Sequence, residues 1–372
     1  MNDHALPGLY IHVPFCGSKC PYCDFYSITS MAQAPRWLEA LDREAMHYRD
    51  RFSVFDSLYL GGGTPSLLDE KALTALTEGL LRCFTFTSGA EWTIECNPDD
   101  IIPGKAALLR DLGFNRISLG VQSFDDGELR LLQRRHTSDQ AVRALEAFLG
   151  LGFKNIGIDL MYALPGQSES SWLATLNRAL DLGPTHISCY ELTLAEGTPF
   201  AEMNESGELK TPEPELQRAF FLMNTETLAG HGYIHYEVSN FARDEGSMCR
   251  HNIKYWNRLP YLGLGPSAHS FAEGKRWWNV ECVSGYCDAL SNDRLPVEDC
   301  EILSQDQEHL ETLALGFRTK EGVAEGLLHH RLHAGRIIND LRRSGLIRCK
   351  NGRIIPTPEG FLVADRLPLL FC

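Results

Sequence analysis

The sequence lacks several features that would place it in other protein classes. No apolar run reaches the roughly eighteen residues of a membrane-spanning helix, so no such helix is expected. Residues 1–8 contain neither a basic segment nor an apolar one, so no secretory signal peptide is expected. Positive charge is also scarce, since 35 Lys and Arg stand against 49 Asp and Glu, a formal net charge of −14. This balance disfavours a general nucleic-acid-binding protein.

Cysteine is not scarce, but closely spaced cysteine pairs are. The chain has twelve cysteines, of which three are clustered and nine are scattered. This distribution is typical of a metal-binding protein in a reducing compartment rather than of a disulfide scaffold. We therefore expect a cytoplasmic protein.

The clustered cysteines, Cys16, Cys20 and Cys23, follow an apolar run at 9–13 that predicts a short buried strand. Three thiolates on one loop suit an iron–sulfur cluster or zinc. A structural zinc site normally has a full set of protein ligands, and the only nearby nitrogen ligand is His12. The spacing favours a [4Fe–4S] cluster whose fourth iron is open to another ligand. Zinc and metal-free, reduced cysteines remain the alternatives.

A repeating order of helix, glycine and strand runs through residues 1–240. Gly113, Gly152, Gly183 and Gly232 each follow a helical stretch and precede a β-rich one, as glycines that cap helices do. The alternation predicts an α/β fold with a parallel sheet, curved into an incomplete TIM-like barrel of six or seven β/α units. Strands are expected near 9–13, 57–60, 92–96, 116–121, 155–160, 186–192 and 233–238, and helices near 36–50, 69–82, 139–150, 169–181 and 213–229.

In such a barrel the functional residues lie at the C-terminal ends of the strands. The segment 61–64, three glycines and a threonine, follows the second strand and would let backbone amides point at an anionic group. A tight turn is the alternative. Polar side chains accompany the next strand ends, namely Glu95, Gln122, Arg134 and Asp159. Each alone could be a solvated loop residue, but together they predict a binding site at the barrel mouth.

Two segments follow the predicted barrel domain of residues 1–240. Residues 241–304 form an aromatic-rich connecting segment, and residues 305–372 a small winged-helix-like α+β domain. A helical pattern near 335–344, a hairpin around Asn351 and Gly352, and a last helix opened by Pro358 predict that domain. Residues 310–372 carry ten Lys and Arg against six Asp and Glu. This surplus reflects either solvated helix faces or a surface for an acidic partner or an anionic lipid.

The Cys-x3-Cys-x2-Cys motif after a first strand resembles that of the radical S-adenosylmethionine (SAM) superfamily. The resemblance implies that Cys16, Cys20 and Cys23 ligate a [4Fe–4S] cluster and that the open iron binds the methionine moiety of SAM. It also implies one-electron cleavage of SAM to a 5′-deoxyadenosyl radical, with an electron donor such as flavodoxin or ferredoxin.

Over nearly the whole chain, the sequence resembles the branch that contains oxygen-independent coproporphyrinogen III oxidase and the HemW-type heme chaperones. The resemblance implies a set of SAM-binding positions: Tyr10, Tyr22, Gly62, Gly63, Thr64, Glu95, Gln122, Arg134 and Asp159. The motif His-Asn-x-x-Tyr-Trp, which begins at His251, resembles a signature of the chaperone branch. It makes His251 a candidate heme ligand, with a hydrogen-bonded structural histidine as the alternative. His269 is a second imidazole candidate.

Two departures from the oxidase pattern favour the chaperone. No cysteine follows Cys23 closely, and the chain begins nine residues before Tyr10, without the N-terminal extension of the oxidase. We therefore expect a protein that binds heme and delivers it to client hemoproteins, respiratory ones among them, with peripheral membrane association a further expectation. The alternative is an enzyme that decarboxylates coproporphyrinogen III to protoporphyrinogen IX, with His12 as an acid/base. A structural or electron-transfer iron–sulfur protein is a third reading.

Overall fold

One twelve-stranded sheet organises most of the molecule. The computed structural model describes residues 5–328 and 333–371. The strands of this sheet are β1 Gly8–Val13, β2 Val54–Gly62, β3 Thr85–Cys96, β4 Arg116–Gln122, β5 Asn155–Tyr162, β6 His186–Glu191, β7 Ile234–Glu237, β8 Asn240–Ala242, β9 Tyr261–Leu264, β10 His269–Ala272, β11 Lys275–Asn279 and β12 Val297–Ile302. Their order across the sheet is β12-β11-β10-β9-β1-β2-β3-β4-β5-β6-β8-β7.

The centre of the sheet is parallel, as the sequence predicts. β9 and β1 to β6 all run in the same direction, whereas β10 to β12 and the β7–β8 hairpin are antiparallel. The strand expected near 233–238 is present as β7, but it is not a further parallel strand. It turns back into β8 through residues 238–239, and a parallel crossover would need a connection of about a dozen residues.

Helices connect the parallel strands and cover the outside of the sheet. Those before the C-terminal region are α1 Ala34–Tyr48, α2 Glu70–Cys83, α3 Lys105–Asp111, α4 Asp126–Leu131, α5 Ser138–Gly150, α6 Glu169–Leu182, α7 Pro199–Glu205, α8 Pro214–Gly230, α9 Arg250–Trp256 and α10 Val283–Ser291. The five predicted helices correspond to α1, α2, α5, α6 and α8. None of the helices in the described part of the chain is long and apolar enough to cross a membrane.

Local sequence signals set the ends of these helices. Asp69 caps α2 by accepting from the Ala72 amide, and Thr137 and Gln140 form a capping box at the start of α5. The four glycines singled out in the sequence all have positive φ, from 68° at Gly183 to 98° at Gly113. They therefore occupy the backbone region in which a side chain is disfavoured.

The two faces of the sheet differ in polarity. Outward positions are apolar and fully buried beneath the helices, as at Leu60, Ile117 and Ile158. Alternate residues of a strand point to opposite faces. The inward positions are largely polar, as at Glu95 and Asp159. β12 and β7 are the edges of the sheet, so the curved sheet is an incomplete barrel. A filled barrel has apolar side chains in its interior, whereas this one encloses a cavity.

The C-terminal region has a small sheet and a core of its own. Its elements are α11 Gln305–Gly316, β13 Val323–Ala324, α12 Ala334–Arg343, β14 Ile347–Lys350, β15 Arg353–Pro356 and α13 Pro358–Phe361. The predicted hairpin is present, with Asn351 and Gly352 both at positive φ. Leu313, Phe317 and Ile354 belong to a separate apolar cluster. The winged-helix-like fold is thus confirmed, while the three domain boundaries stay a prediction, since β9 to β12 of segment 241–304 continue the large sheet.

Candidate functional site

The main cavity lies on the inner face of the parallel strands. Its volume is about 400 Å³, within the usual range for small-molecule sites of about 300–1,000 Å³. It is lined by most of the site residues predicted from sequence: Cys16, Cys20, Tyr22, Cys23, Gly62, Gly63, Thr64, Glu95, Gln122, Arg134 and Asp159. Tyr10, His12, His251 and His269 lie outside it. The structure therefore brings the cysteine loop and the strand-end side chains together, and their individual roles stay predictions.

The cysteine loop follows β1 and folds back on itself. The Cys16 amide donates to the Ile28 carbonyl over 3.0 Å, and the Cys23 amide donates to the Cys20 carbonyl over 3.2 Å. All three cysteines are free thiols, and burial raises the pKa of Cys23. The loop geometry thus directs three sulfur ligands into one cavity.

Polar side chains approach two of these sulfur atoms. Thr64 Oγ1 donates to Cys16 Sγ over 3.5 Å, and Arg134 Nη1 donates to Cys20 Sγ over 3.7 Å. In residues 5–328 and 333–371, no three His, Cys, Asp or Glu side chains converge closely enough to hold a single metal ion. Each cysteine of a [4Fe–4S] cluster binds a different iron atom, so three thiols spread along one wall fit such a cluster.

Gly62 and Gly63 allow the end of β2 to lie very close to β1. Gly62 has φ of +103°, and a Cβ atom there would be 2.6 Å from the His12 ring. A Cβ atom on Gly63 would be 2.6 Å from the Phe15 carbonyl oxygen. Glycine is therefore required here by close packing against the segment that leads into the cysteine loop.

The expectation that the amides of this segment point at an anionic ligand is wrong for Gly63 and Thr64. The Gly63 amide donates to the Val13 carbonyl over 2.8 Å, and the Thr64 amide donates to the Phe15 carbonyl over 2.7 Å. These donors are already used within the protein. The contribution of Thr64 to the cavity is instead its hydroxyl group.

Two carboxyl groups, Glu95 and Asp159, face the cavity from β3 and β5. Tyr59 donates to Glu95 Oε1 over 2.8 Å, while burial and then the nearby Asp159 carboxyl raise the pKa of Glu95 to about 7. Burial also raises the pKa of Asp159, whose Oδ2 accepts from Ser118 over 3.0 Å. Asp159 Oδ1 is buried without a partner. A ligand that offers amine or hydroxyl donors would satisfy this oxygen.

Arg134 and Gln122 complete this wall of the cavity. Arg134 Nη2 donates to Asn97 Oδ1 over 2.6 Å and to the Gly120 carbonyl over 2.8 Å, while its Nε is buried without a partner. Gln122 has φ of 66°, at a register shift where β4 ends. A left-handed, non-glycine residue at a strand end costs free energy and is common at functional sites. Sequence reasoning missed Asn97 and Tyr59 as contacts, although the alternation of β2 places Tyr59 on the inner face.

His251 does not face the main cavity. It is 0% exposed, with Nδ1 3.0 Å from Ser57 Oγ and Nε2 2.8 Å from Tyr255 Oη. Burial lowers its pKa to about 3. Both ring nitrogens thus have partners inside the protein, which is the arrangement of a structural histidine. The motif residue that lines the main cavity is Asn252.

A buried carboxylate fixes the start of α9, the helix that carries this motif. Glu91 on β3 accepts from the amides of Arg250 and His251 over 3.2 and 3.1 Å. Its partner cation is Arg116, at 3.9 Å, and both side chains are nearly inaccessible, at 2% and 3% exposed. This pair holds α9 against the inner face of the sheet.

A second cavity, here named the lateral cavity, adjoins the main one. It is also about 400 Å³ and is lined by Tyr10, His12, Asp24, Phe25, Tyr26, Tyr255, Tyr261, Ser267, His269 and Glu281. Asp24 and Phe25 line both cavities. His12, the predicted acid/base, therefore lies in the lateral cavity, where its Nε2 is 2.9 Å from the Tyr26 carbonyl oxygen and burial lowers its pKa to about 4.

Comparison with known proteins agrees with this architecture. Residues 10–179 match the family described as the Radical SAM superfamily. The heme chaperone HemW of Mycobacterium tuberculosis is 34% identical over 367 residues, covering 96% of this chain and 93% of the relative. HemW of Bacillus subtilis is 32% identical over 370 residues, covering 96% and 97%. The bovine mitochondrial radical S-adenosyl methionine domain-containing protein 1 is 30% identical over 390 residues, covering 97% and 86%.

A solved structure shows the same fold. Coproporphyrinogen III oxidase (HemN) from Escherichia coli superposes with a TM-score of 0.84 and 24% sequence identity, covering 98% of this chain and 90% of that chain. The incomplete barrel and the C-terminal region therefore both have a counterpart of known structure. Given the similarity to the curated HemW proteins along almost its entire length, the chain belongs to the HemW family of radical SAM proteins.

Proposed function

We propose that this protein is a heme chaperone that binds heme and transfers it to client hemoproteins, with a [4Fe–4S] cluster and SAM in the main cavity. The observation that carries the proposal is the near-full-length similarity to relatives named heme chaperone HemW. The arrangement of the main cavity supports it, because three free thiols and a set of strand-end polar side chains share one enclosed space.

Cys16, Cys20 and Cys23 would hold the cluster. Bound there, the cluster would supply the electron for reductive cleavage of SAM. Thr64 and Arg134 place a hydroxyl donor and a positive charge beside the sulfur atoms, and both stabilise thiolate charge. Sulfur ligands with such donors suit a soft iron–sulfur centre.

Other polar side chains of the same cavity would hold SAM. Glu95 and the unpartnered Oδ1 of Asp159 are acceptors for amine and hydroxyl groups. The unpartnered Nε of Arg134 is a donor for a carboxylate. Gln122 and Tyr22 line the same space. Tyr10, predicted to line SAM, faces the lateral cavity instead, so its contribution to SAM binding would be indirect.

The iron ligand of heme would be one of the two predicted imidazoles, His251 or His269. The wider proposal includes an electron donor such as flavodoxin or ferredoxin, respiratory hemoproteins as clients, and peripheral contact with a membrane surface. It assigns the protein to the cytoplasm, consistent with free thiols at every cysteine in the described ranges. It assigns no role in nucleic-acid binding.

One experiment separates this function from that of the oxidase. Cluster-loaded protein is incubated without oxygen with reductant, SAM and coproporphyrinogen III, and mass spectrometry reads 5′-deoxyadenosine and decarboxylated porphyrin. In parallel, hemin-loaded protein is mixed with an apo-form b-type cytochrome, and heme transfer is followed by absorbance. We expect heme transfer and no decarboxylation. Catalytic formation of protoporphyrinogen IX, or no heme transfer, would overturn the proposal.

A further inference from the structure

We propose that heme occupies the lateral cavity and that His269 ligates its iron, while His251 is a structural residue behind the cavity wall. This inference rests on the heme-binding function proposed above. It differs from that function in naming the place and the ligand.

The walls of the lateral cavity suit a flat apolar ring. Five aromatic side chains line it, namely Tyr10, Phe25, Tyr26, Tyr255 and Tyr261. Aromatic rings pack favourably against other π-systems in offset or edge-on arrangements. Phe25 is 65% exposed at the boundary with the main cavity, so its ring is available to a ligand. The cavity volume of about 400 Å³ accommodates a bulky cofactor with part of it left outside.

His269 is the histidine of this cavity that is free to bind a metal. It begins β10, is exposed, and stacks on its cross-strand neighbour Trp278, with ring centroids 5.7 Å apart. Neither of its ring nitrogens makes a hydrogen bond within residues 5–328 and 333–371. Partial burial, and then the charge of Arg276, lower its pKa. A neutral imidazole is the form that ligates metals.

The other two imidazoles nearby are already engaged. His251 is 0% exposed and has Ser57 and Tyr255 as partners. The His12 nitrogens lie 2.9 Å from the Tyr26 carbonyl oxygen and 3.3 Å from Tyr10 Oη. Either residue would have to give up an internal hydrogen bond before it could bind iron, which costs free energy in a buried site. His269 gives up none.

The charges at the cavity indicate how heme would be oriented. Asp24 and Glu281 line it, and like charges this close disfavour carboxylates. The propionate groups of heme would therefore point toward solvent, with the ring inside. Because Asp24 and Phe25 directly follow Cys23 and line both cavities, the heme edge would lie beside the cysteine loop.

The test compares two porphyrins on the cluster-loaded protein. Hemin, which an imidazole can ligate, is titrated by difference absorbance and examined by electron paramagnetic resonance. Metal-free protoporphyrin IX, which cannot be ligated, is titrated by fluorescence. His269→Ala is expected to weaken hemin binding by about tenfold or more, since even outer-shell changes at metal sites cost that much. It should leave protoporphyrin IX affinity unchanged, and added imidazole should restore the spectrum of imidazole-ligated iron.

Two further variants locate the ring and control for the loss of a histidine. Phe25→Ala should weaken binding of both porphyrins, because it removes part of the wall. His231→Ala, an exposed histidine that lines neither cavity, should change neither. Wild-type hemin affinity and spectrum in His269→Ala, or loss of the imidazole-ligated iron spectrum in His251→Gln alone, would overturn the inference while leaving heme binding intact. Failure of the unaltered protein to bind hemin would overturn the proposed function itself.

Discussion

At the scale of single residues, the sulfur atoms of the cysteine loop depend on the side chains that donate to them. Thr64 Oγ1 lies 3.5 Å from Cys16 Sγ and is held in place by Asn97, whose Nδ2 donates to it over 3.4 Å. Hydrogen bonds to cluster sulfurs raise the reduction potential, because they stabilise the more negative, reduced state. The hydroxyl of Thr64 would therefore tune the potential of the proposed cluster.

Thr64→Val is expected to lower the reduction potential of the cluster by on the order of 40 mV. This is the one-electron equivalent of a net hydrogen bond of about 1 kcal/mol. Thr64→Ser keeps the hydroxyl and serves as the matched control, with a potential close to that of the unaltered protein. A redox titration followed by electron paramagnetic resonance measures both, and an unchanged potential in the valine variant contradicts the expectation.

Some residue placements could be predicted from sequence and others could not. The carboxyl ends of parallel strands meet at one edge of a sheet. The strand positions of Glu95, Gln122 and Asp159 were therefore sufficient to predict that these side chains line one cavity. The surroundings of His251 were not predictable. Its ring contacts Ser57, which is 194 residues away in the chain, and a short helix can turn a histidine toward either the cavity or the core.

At the scale of secondary-structure elements, α9 depends on a buried ion pair. Glu91→Ala would remove the acceptor of two α9 amides and leave Arg116 buried without its counter-charge. Breaking a buried pair in this way typically costs about 3–5 kcal/mol of folding free energy. Glu91→Gln keeps an acceptor for one of the two amides and should cost less. Urea unfolding of both variants measures the difference, and equal losses would show that the hydrogen bonds to the α9 amides are unimportant.

A second buried carboxylate joins α1 to the β9–β11 side of the sheet. Glu44, on α1, accepts from the Gly265 amide over 2.8 Å, from Asn279 over 2.6 Å and from Tyr286 over 2.6 Å. Burial nevertheless raises the pKa of Glu44 to about 7. The folded protein therefore holds a proton on this group at pH values where the unfolded chain has lost it.

This linkage makes stability depend on pH. The contribution of Glu44 is fully present below its unfolded pKa of about 4.5 and is lost as pH rises through about 7, a change of about 3 kcal/mol. Glu44→Gln should reduce the decline in unfolding free energy between pH 5 and pH 8. Burial also raises the pKa of Glu95 and Glu237 to about 7, so part of the decline remains. Urea unfolding at pH 5 and pH 8 measures this decline. An unaltered decline in Glu44→Gln would count against the assignment of the pH dependence to Glu44.

The elements with strong periodicity or a clear turn signal were predicted from sequence, whereas the short strands β9 to β11 were not. Strands β1 to β6 have clear apolar patterns. Helices such as α5 and α6 combine apolar periodicity with clear caps. β9 to β11 are four or five residues each, too short for a pattern. β9 pairs with β1 across about 250 residues of chain, and no local signal encodes such a pairing.

At the scale of the whole molecule, β1 joins the two halves of the sheet, with β2 on one side and β9 on the other. Ile11 on this strand is 0% exposed, whereas Ile302 on the edge strand β12 is 79% exposed. Ile11→Ala should cost about 2–5 kcal/mol, and Ile302→Ala no more than about 0.5 kcal/mol. Chemical denaturation of the pair measures both, and similar losses would mean that β1 is not the centre of the fold.

The overall class of the fold was predictable because an alternation of helices and strands is compatible with few folds. The cavities were not, because an enclosed space depends on which side chains fail to fill it. The strand alternation shows that inward positions carry polar groups, but not that Phe25 and Asp24 would separate two spaces. That separation arises from the path of the loop after Cys23, which a sequence pattern does not specify.

The contrast between the two faces of the sheet has a consequence for how this scaffold can change. The packing free energy resides mainly in the outward apolar layer, so replacements on the inward face outside the Glu91–Arg116 pair should disturb ligand choice far more than folding. Such a protein can acquire a new ligand without first needing substitutions that raise its free energy of unfolding. Directed evolution of a new specificity should therefore begin with inward positions such as Ser118, Ser188 and Asn252 and leave the layer beneath the helices untouched.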